Sequence, residues 1–264
     1  MSWINKYSVL CATLDAKLCR MKNFDFARLL VLDVAVSVYL YVTYSPDFDW
    51  SVEEFWRNAG VVAENLNGTI TWLRSNPAGL KLNTPVNETL ATFFTYHIYL
   101  WTTFIGFLRS DAFFRFIVYS AFGGLSTFAA MIHDFSQVFF LHFNCFDAYA
   151  TKLCYLCYYT LTVLWGLVMG KKWNPLRERT DTVQLDTRQQ FLATSLFVIL
   201  LFILPTILVY FLVFRALKWA VSGCQWVLYQ IATWPMKMAE FELKLARWVN
   251  KKRTEQTVKK AQKS

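Results

Sequence analysis

The chain has 264 residues, of which 56% are hydrophobic, 18% aromatic and only 17% charged, with a positive mean hydropathy. Soluble domains average about 45–50% apolar and about 25% charged residues, so this balance points away from a soluble domain and toward a membrane protein. A net charge of +9 does not indicate nucleic acid here, because the cations gather at the edges of apolar runs and in the carboxyl tail, where membrane-surface phosphates are their natural counter-charge.

Residues 1–25 read as a cytosolic segment. No small-residue cleavage site follows the first apolar run, so that run is a retained anchor and not a signal peptide. A membrane helix takes about 17–25 mostly apolar residues. Five stretches are candidates: 26–44 with one acid, Asp33; 93–108; 113–143, which is longer than one crossing needs; 146–169; and 191–214. Lys17, Arg20, Lys22 and Arg28 place the start of the first in the cytosol. Loop 45–92 then carries six acids against three cations and two glycosylation sequons, at Asn67 and Asn87, and both features fit the lumen.

Counting onward puts Arg109 and Arg115 in the cytosol, the surroundings of Asn144 in the lumen, and loop 170–190 back in the cytosol. Five crossings would strand the basic tail in the lumen, so either 220–234 is a weak sixth crossing or one span is re-entrant; the sixth crossing is the reading adopted. Thr187 and Gln190 match a helix capping box. Pro205 removes one backbone donor and frees the Leu201 carbonyl, which predicts a kink with the Thr206 hydroxyl as a local substitute. Beyond Pro235, Met238, Phe241, Leu245 and Trp248 recur at helical spacing, with Glu240, Lys244, Arg247 and Lys251 on another face. That pattern is an interfacial amphipathic helix, followed by a basic tail. The expected fold is all-α: a polytopic membrane helix bundle of five to six spans within 26–218, then 219–264 as weak span, amphipathic helix and tail.

Several features could carry chemistry. Asp47 and Asp49 could share a divalent cation, as acid-x-acid pairs do in glycosyltransferases, or simply form a polar turn. His142, Cys145, Cys154 and Cys157 offer zinc-ligand residue types, but Cys154 and Cys157 sit in a continuous helical pattern without the turn a zinc knuckle needs, so no metal and no cofactor are expected. The six cysteines lie mostly in or beside apolar runs and do not form a disulfide framework. Asp33, His97, His133, Asp134 and His142 are ionisable groups at membrane depth, which face a bundle interior or a cavity. They tie helices together or touch a headgroup or substrate. Gly123, Gly124, Gly166 and Gly170 fall in small-residue series that let helices approach closely.

The segment Gly170–Asp181, GKKWNPLRERTD, concentrates cations beside an aromatic. Lys171 and Lys172 can snorkel to headgroups, Trp173 suits the interfacial belt, and Asn174-Pro175 starts a helix or a turn. Arg177 and Arg179 would then project from a defined backbone, suited to two-pronged contact with a phosphate or carboxylate, or would only set topology.

PAGLKLN at 77–83, YHIYLW at 96–101, the spaced Asp134, His142, Tyr149 and Ala150, KKWNPLRERTD at 171–181 and QFLATSLFVILLFILPTILVYFLVF at 190–214 together resemble the subunit Q family of phosphatidylinositol N-acetylglucosaminyltransferase. The resemblance covers roughly residues 26–215. It departs from the family in lacking a long amino-terminal region and in carrying Ala193-Thr194 in place of Gly-Thr. It implies a multi-pass endoplasmic reticulum membrane protein, a non-catalytic scaffold in the complex that moves N-acetylglucosamine from its uridine diphosphate donor to phosphatidylinositol at the first step of glycosylphosphatidylinositol-anchor synthesis. The implied partners are the catalytic glycosyltransferase subunit, the other subunits and membrane lipids including phosphatidylinositol. Two other classes compete: a lumenal glycosyltransferase built on Asp47 and Asp49, and a small transporter using the intramembrane His and Asp residues.

Overall fold

The structure is a computed structural model that describes residues 8–20, 24–44, 48–76, 79 and 82–261, without the side chains of 24–25, 44, 48–51, 111–113 and 253–261. It is almost entirely helical. In chain order the elements are α1 (Val9–Arg20), α2 (Phe24–Tyr44), α3 (Phe48–Arg74), α4 (Thr84–Leu108), α5 (Asp111–Tyr119), a 3-10 turn (Ser120–Gly123), α6 (Leu125–Phe139), α7 (Leu141–Val168), β1 (Lys171–Asn174), β2 (Arg179–Thr182) and α8 (Thr187–Ala261). Among the described residues, two helices are long and apolar enough to cross a membrane by length and composition, α2 at Phe26–Thr43 and α8 within Thr187–Lys252. The chain divides into two compact units: Met1–Phe55 with Arg109–Phe139 and Ser222–Ser264, and Trp56–Leu108 with Phe140–Val221.

In the first unit, α5 and α6 fold back on each other. The Phe55 ring meets Phe114 at 5.5 Å, Phe135 at 6.1 Å and Phe139 at 5.4 Å between centroids, so the two ends of this stretch come together. The apolar run 113–143, read from sequence as one crossing, is therefore a helical hairpin. Its turn is made by Gly124, whose φ of +104° is open to glycine and strained for other residues. A span search reads hydropathy and is blind to such a turn. Near the other end of α2, Arg20 donates to the Met236 carbonyl and pairs with Glu240 at 3.0 Å, Arg28 approaches Glu242 at 3.7 Å, and Phe26 and Leu29 pack on Ala239. Residues 236–242 thus lie beside the start of α2.

In the second unit an aromatic core joins α4, α7 and α8. Phe94 stacks on Tyr210 at 5.7 Å and touches Phe214 at 4.1 Å and Phe146 at 6.3 Å, while Trp101 meets Phe143 edge-on at 4.9 Å. The stretch 45–92 holds a 27-residue helix, α3, and the start of α4. Ala59, Ala63, Leu66, Ile70 and Leu73 recur at spacings of four and three and are all buried, an amphipathic stripe masked by its charged outer face. α8 runs unbroken through Pro205 and Pro235, so the last strong span, the weak sixth and the amphipathic stretch are one element, not three. The stretch 171–182 is an antiparallel β-hairpin in register Lys171 to Thr182, Lys172 to Asp181, Trp173 to Thr180 and Asn174 to Arg179, a departure from an all-helical chain.

Candidate functional site

In the first unit Asp33 is 0% exposed. Its Oδ2 receives the Lys17 ammonium at 3.0 Å and the Ser126 hydroxyl at 2.6 Å, and its Oδ1 receives the Ser126 amide at 2.9 Å. Lys17 also donates to the Gly123 carbonyl at 2.9 Å and to Thr127 Oγ1 at 2.7 Å. A carboxylate from α2 therefore caps the amino end of α6, where free amides and the helix dipole favour negative charge, and a buried cation neutralises it. Counted from sequence as a flanking cation, Lys17 is in fact buried. Small residues make this possible: a Cβ on Gly124 would stand 2.3 Å from Asp33 Oδ2, and one on Gly123 only 3.2 Å from the Thr127 methyl.

Asp134 repeats the device in reverse. From α6 it accepts the Ser8 hydroxyl at 2.6 Å and the Val9 and Leu10 amides at 3.0 and 3.1 Å, capping α1; the buried His133 holds its Nδ1 3.2 Å from the same carboxylate.

The second unit uses polar ties that sequence reasoning missed. The Asn83 side chain caps α4 by accepting the Val86 amide at 3.2 Å, and the Asn83 backbone N–H donates to Thr206 Oγ1 at 2.9 Å. The Thr206 oxygen thus serves the start of α4. Asn87 is buried, its Nδ2 donates to the Leu73 and Arg74 carbonyls at the end of α3, and its Oδ1 accepts the Tyr210 hydroxyl at 2.8 Å. At the candidate sequon Asn87 the side-chain nitrogen is thus buried and engaged. Asn67 is exposed on α3.

Asp147, also buried, pairs with Arg215 at 3.1 Å and Lys218 at 2.9 Å, and Arg215 further donates to Thr151 at 2.7 Å. An acid inside the apolar run 146–169 was the available signal, with two cations three residues apart just past 214. The histidines of this unit do not form a site with these groups. His97 sets Nδ1 2.8 Å from its own helix's Phe93 carbonyl and packs on Tyr149, while His142 has a buried Nδ1 without a hydrogen-bond partner and lies 5.0 Å from the Phe104 ring.

Gly166 and Gly170 serve the hairpin. A Cβ on Gly166 would lie 3.3 Å from the Lys171 carbonyl, and Gly170, at φ +67°, ends α7 and accepts the Val183 amide at 2.8 Å. Asn174 builds a turn and not a helix start: its Oδ1 accepts the Leu176 amide at 3.1 Å, an Asx turn, and its Nδ2 donates to Asp181 at 2.8 Å. Arg179 is held by the same Asp181 at 3.0 Å. This separates the two arginines: Arg179, itself 63% exposed, is braced by Asp181, while Arg177, Lys171 and Lys172 are exposed beside Trp173, 59% exposed, and Leu176, 95% exposed. Asp47 lies outside the described residues, as does the Asp49 side chain. Cys154 and Cys157 stand on the continuous helix α7, and all six cysteines are free.

A family model described as N-acetylglucosaminyl transferase component (Gpi1) matches residues 2–256. The chain is 40% identical over 168 residues to human phosphatidylinositol N-acetylglucosaminyltransferase subunit Q, covering 62% of this chain and 22% of the human protein. It is 33% identical over 165 residues to the N-acetylglucosaminyl-phosphatidylinositol biosynthetic protein gpi1 of Schizosaccharomyces pombe, covering 61% of this chain and 25% of that protein. It thus spans about a quarter of the length of these relatives. No solved structure matches it. Matched over nearly its whole length, the chain belongs to the Gpi1 family of N-acetylglucosaminyl transferase components.

Proposed function

We propose that this chain is a non-catalytic scaffold subunit of the endoplasmic reticulum membrane complex that transfers N-acetylglucosamine from its uridine diphosphate donor to phosphatidylinositol. The observation that carries this reading is the family match over residues 2–256, joined by relatives that are named as subunits of that transferase. The fold supports it: buried ion pairs and cross-helix caps hold the helices in register, which suits a part whose task is to present surfaces.

The membrane arrangement is a polytopic helix bundle with one adjustment to the count of five to six spans. The hairpin α5–α6 enters the bilayer beside α2 and returns to the side it came from, which leaves four crossings (α2, α4, α7 and the first part of α8) and puts loop 170–190 on the side opposite the start of α2, not in the cytosol as counted from the sequence. The salt bridges from Arg20 and Arg28 to Glu240 and Glu242 support a tail on the side where α2 begins. The exposed face of the 171–182 hairpin, with Trp173 and Leu176 among Lys171, Lys172 and Arg177, fits an interfacial contact with an anionic headgroup or with the catalytic partner.

Affinity purification of the full chain in mild detergent tests the assignment. The expected result is recovery of further subunits together with N-acetylglucosaminyl transfer to phosphatidylinositol. Loss of both, or transfer by the chain purified free of other subunits, would overturn it.

A further inference from the structure

The first unit also contains a cavity of about 500 Å³, walled by α2, the start of α3 and the α5–α6 hairpin. That volume lies within the range of about 300–1,000 Å³ typical of small-molecule sites. Among the described residues that line it, only Ser37 and Tyr41 carry a polar side-chain atom, and the Ser37 hydroxyl is already donated to the Ala121 carbonyl at 2.7 Å. A water needs about two to four polar partners, and a polar ligand would lose its hydration without replacement. Neither suits this wall, which accepts hydrocarbon.

Length and access narrow the occupant. The lining follows α6 from Leu125 to Phe135, about 15 Å at roughly 1.5 Å per residue. One leaflet of a bilayer offers a hydrocarbon depth of about 15 Å, half of the roughly 30 Å core. Leu40, on the cavity wall, is 37% exposed, and Val36, Tyr39 and Val42 beside it on α2 are 41%, 71% and 66% exposed. The mouth therefore opens along the apolar face that α2 turns to lipid when it is membrane-embedded.

We propose that this cavity takes one acyl chain of a membrane glycerophospholipid, its headgroup left outside. The inference rests on the membrane embedding of α2 and not on the transferase assignment. The chain would fill the gap between α2 and the hairpin as an apolar wedge. Because the wall reads only hydrocarbon, it does not select the headgroup.

The test uses the purified full chain in vesicles containing phosphatidylcholine, or phosphatidylinositol, with a photoactivatable diazirine near the end of one acyl chain. Adducts should concentrate on Val118, Phe128 and Ile132, with equal yield from both lipids. Val118→Trp should lower that labelling at least about tenfold, the factor that excluding two buried methylenes supplies, while Val31→Trp, at an exposed position of α2 that does not line the cavity, should leave it unchanged. Adducts spread evenly over Val31, Tyr39 and the cavity residues would overturn the proposal even if Val118→Trp failed to fold. So would a strong headgroup preference, or crosslinks from these residues to another protein.

Discussion

Replacing Lys17 by methionine removes the cation from the Asp33 cluster at nearly constant volume. Asp33 is 0% exposed and would keep only the Ser126 amide and hydroxyl, at 2.9 and 2.6 Å, with no neutralising charge in the cluster. Breaking one side of a buried pair costs about 3–5 kcal/mol because the remaining charge is stranded, and the two surviving hydrogen bonds place the expected loss toward the lower end. Asp33→Asn alone strands the ammonium on the Gly123 carbonyl and the Thr127 hydroxyl and should cost a similar amount. The double variant differs in kind. Asparagine can still accept the Ser126 amide, the Gly123 carbonyl still has the Thr127 hydroxyl at 2.8 Å, and no charge remains buried, so most of the stability should return, since uncharged replacements of buried pairs are commonly near neutral. Chemical unfolding in mild detergent, followed by tryptophan fluorescence, gives the three free energies and hence the coupling between the sites. Additive losses in the double variant, or a Lys17→Met loss below about 1 kcal/mol, would refute the claim that the pair is held together by mutual neutralisation.

Gly124→Ala should destabilise by at least about 1–2 kcal/mol from its left-handed backbone alone, and by more because its Cβ would meet Asp33 at 2.3 Å; Gly123→Ala, touching only the Thr127 side chain at 3.2 Å, should be milder in the same unfolding assay. Asn87→Ala should cost about 1–3 kcal/mol by leaving buried polar groups unpaired, and adding Tyr210→Phe should add little, because both remove the same bond. Any glycan should reside on Asn67, so glycosidase-sensitive gel mobility should vanish with Asn67→Gln and persist with Asn87→Gln. Cysteines placed at Ser110 and Gln137 should be labelled by an impermeant thiol reagent from the same side of sealed vesicles, whereas labelling from opposite sides would restore 113–143 as a crossing. Arg177→Gln should weaken binding to vesicles rich in anionic lipid or retention of partner subunits, with a loss of up to about 1 kcal/mol for a cation near a charged surface, while Arg179→Gln should act mainly by loosening the hairpin.

Helical class was legible because apolar composition and periodicity are local properties. What stayed hidden depends on which side chains meet. α3 escaped notice although Ala59, Ala63, Leu66, Ile70 and Leu73 keep helical spacing, because the acids and sequons on its outer face read as a lumenal loop. The break at Gly124 was visible only as a small residue in a packing series; neither its positive φ nor the approach of Asp33 that leaves no room for a Cβ can be read from a window of sequence. Asp33 and Asp134 were singled out as costly at membrane depth, but their role as caps for helices far away in sequence required the fold. Asp147 lay unnoticed in an apolar run until Arg215 and Lys218 were placed beside it. In the 171–181 segment the residue types were informative, yet only the pairing of Arg179 with Asp181 in the folded hairpin distinguishes it from Arg177.

The polar ties also explain how a chain so rich in interchangeable apolar side chains settles on one arrangement. In a lipid-like surrounding, burying Leu or Phe against another helix gains little over burying it in hydrocarbon, so apolar area alone cannot choose among helix registers. A slip of one residue turns a helix by about 100°, which would carry Ser126 away from Asp33, Val9 and Leu10 away from Asp134, and Arg215 and Lys218 away from Asp147. Each slip would strand a carboxylate at low dielectric, a loss of several kcal/mol, whereas the aromatic contacts could re-form in shifted pairs at about 0.5–1.5 kcal/mol each. Specificity therefore resides in a few polar groups whose partners lie on other elements. Charge removal in matched pairs should leave a folded chain with looser register, and the positions of the 171–182 hairpin and of the apolar cavity would be the first properties to blur.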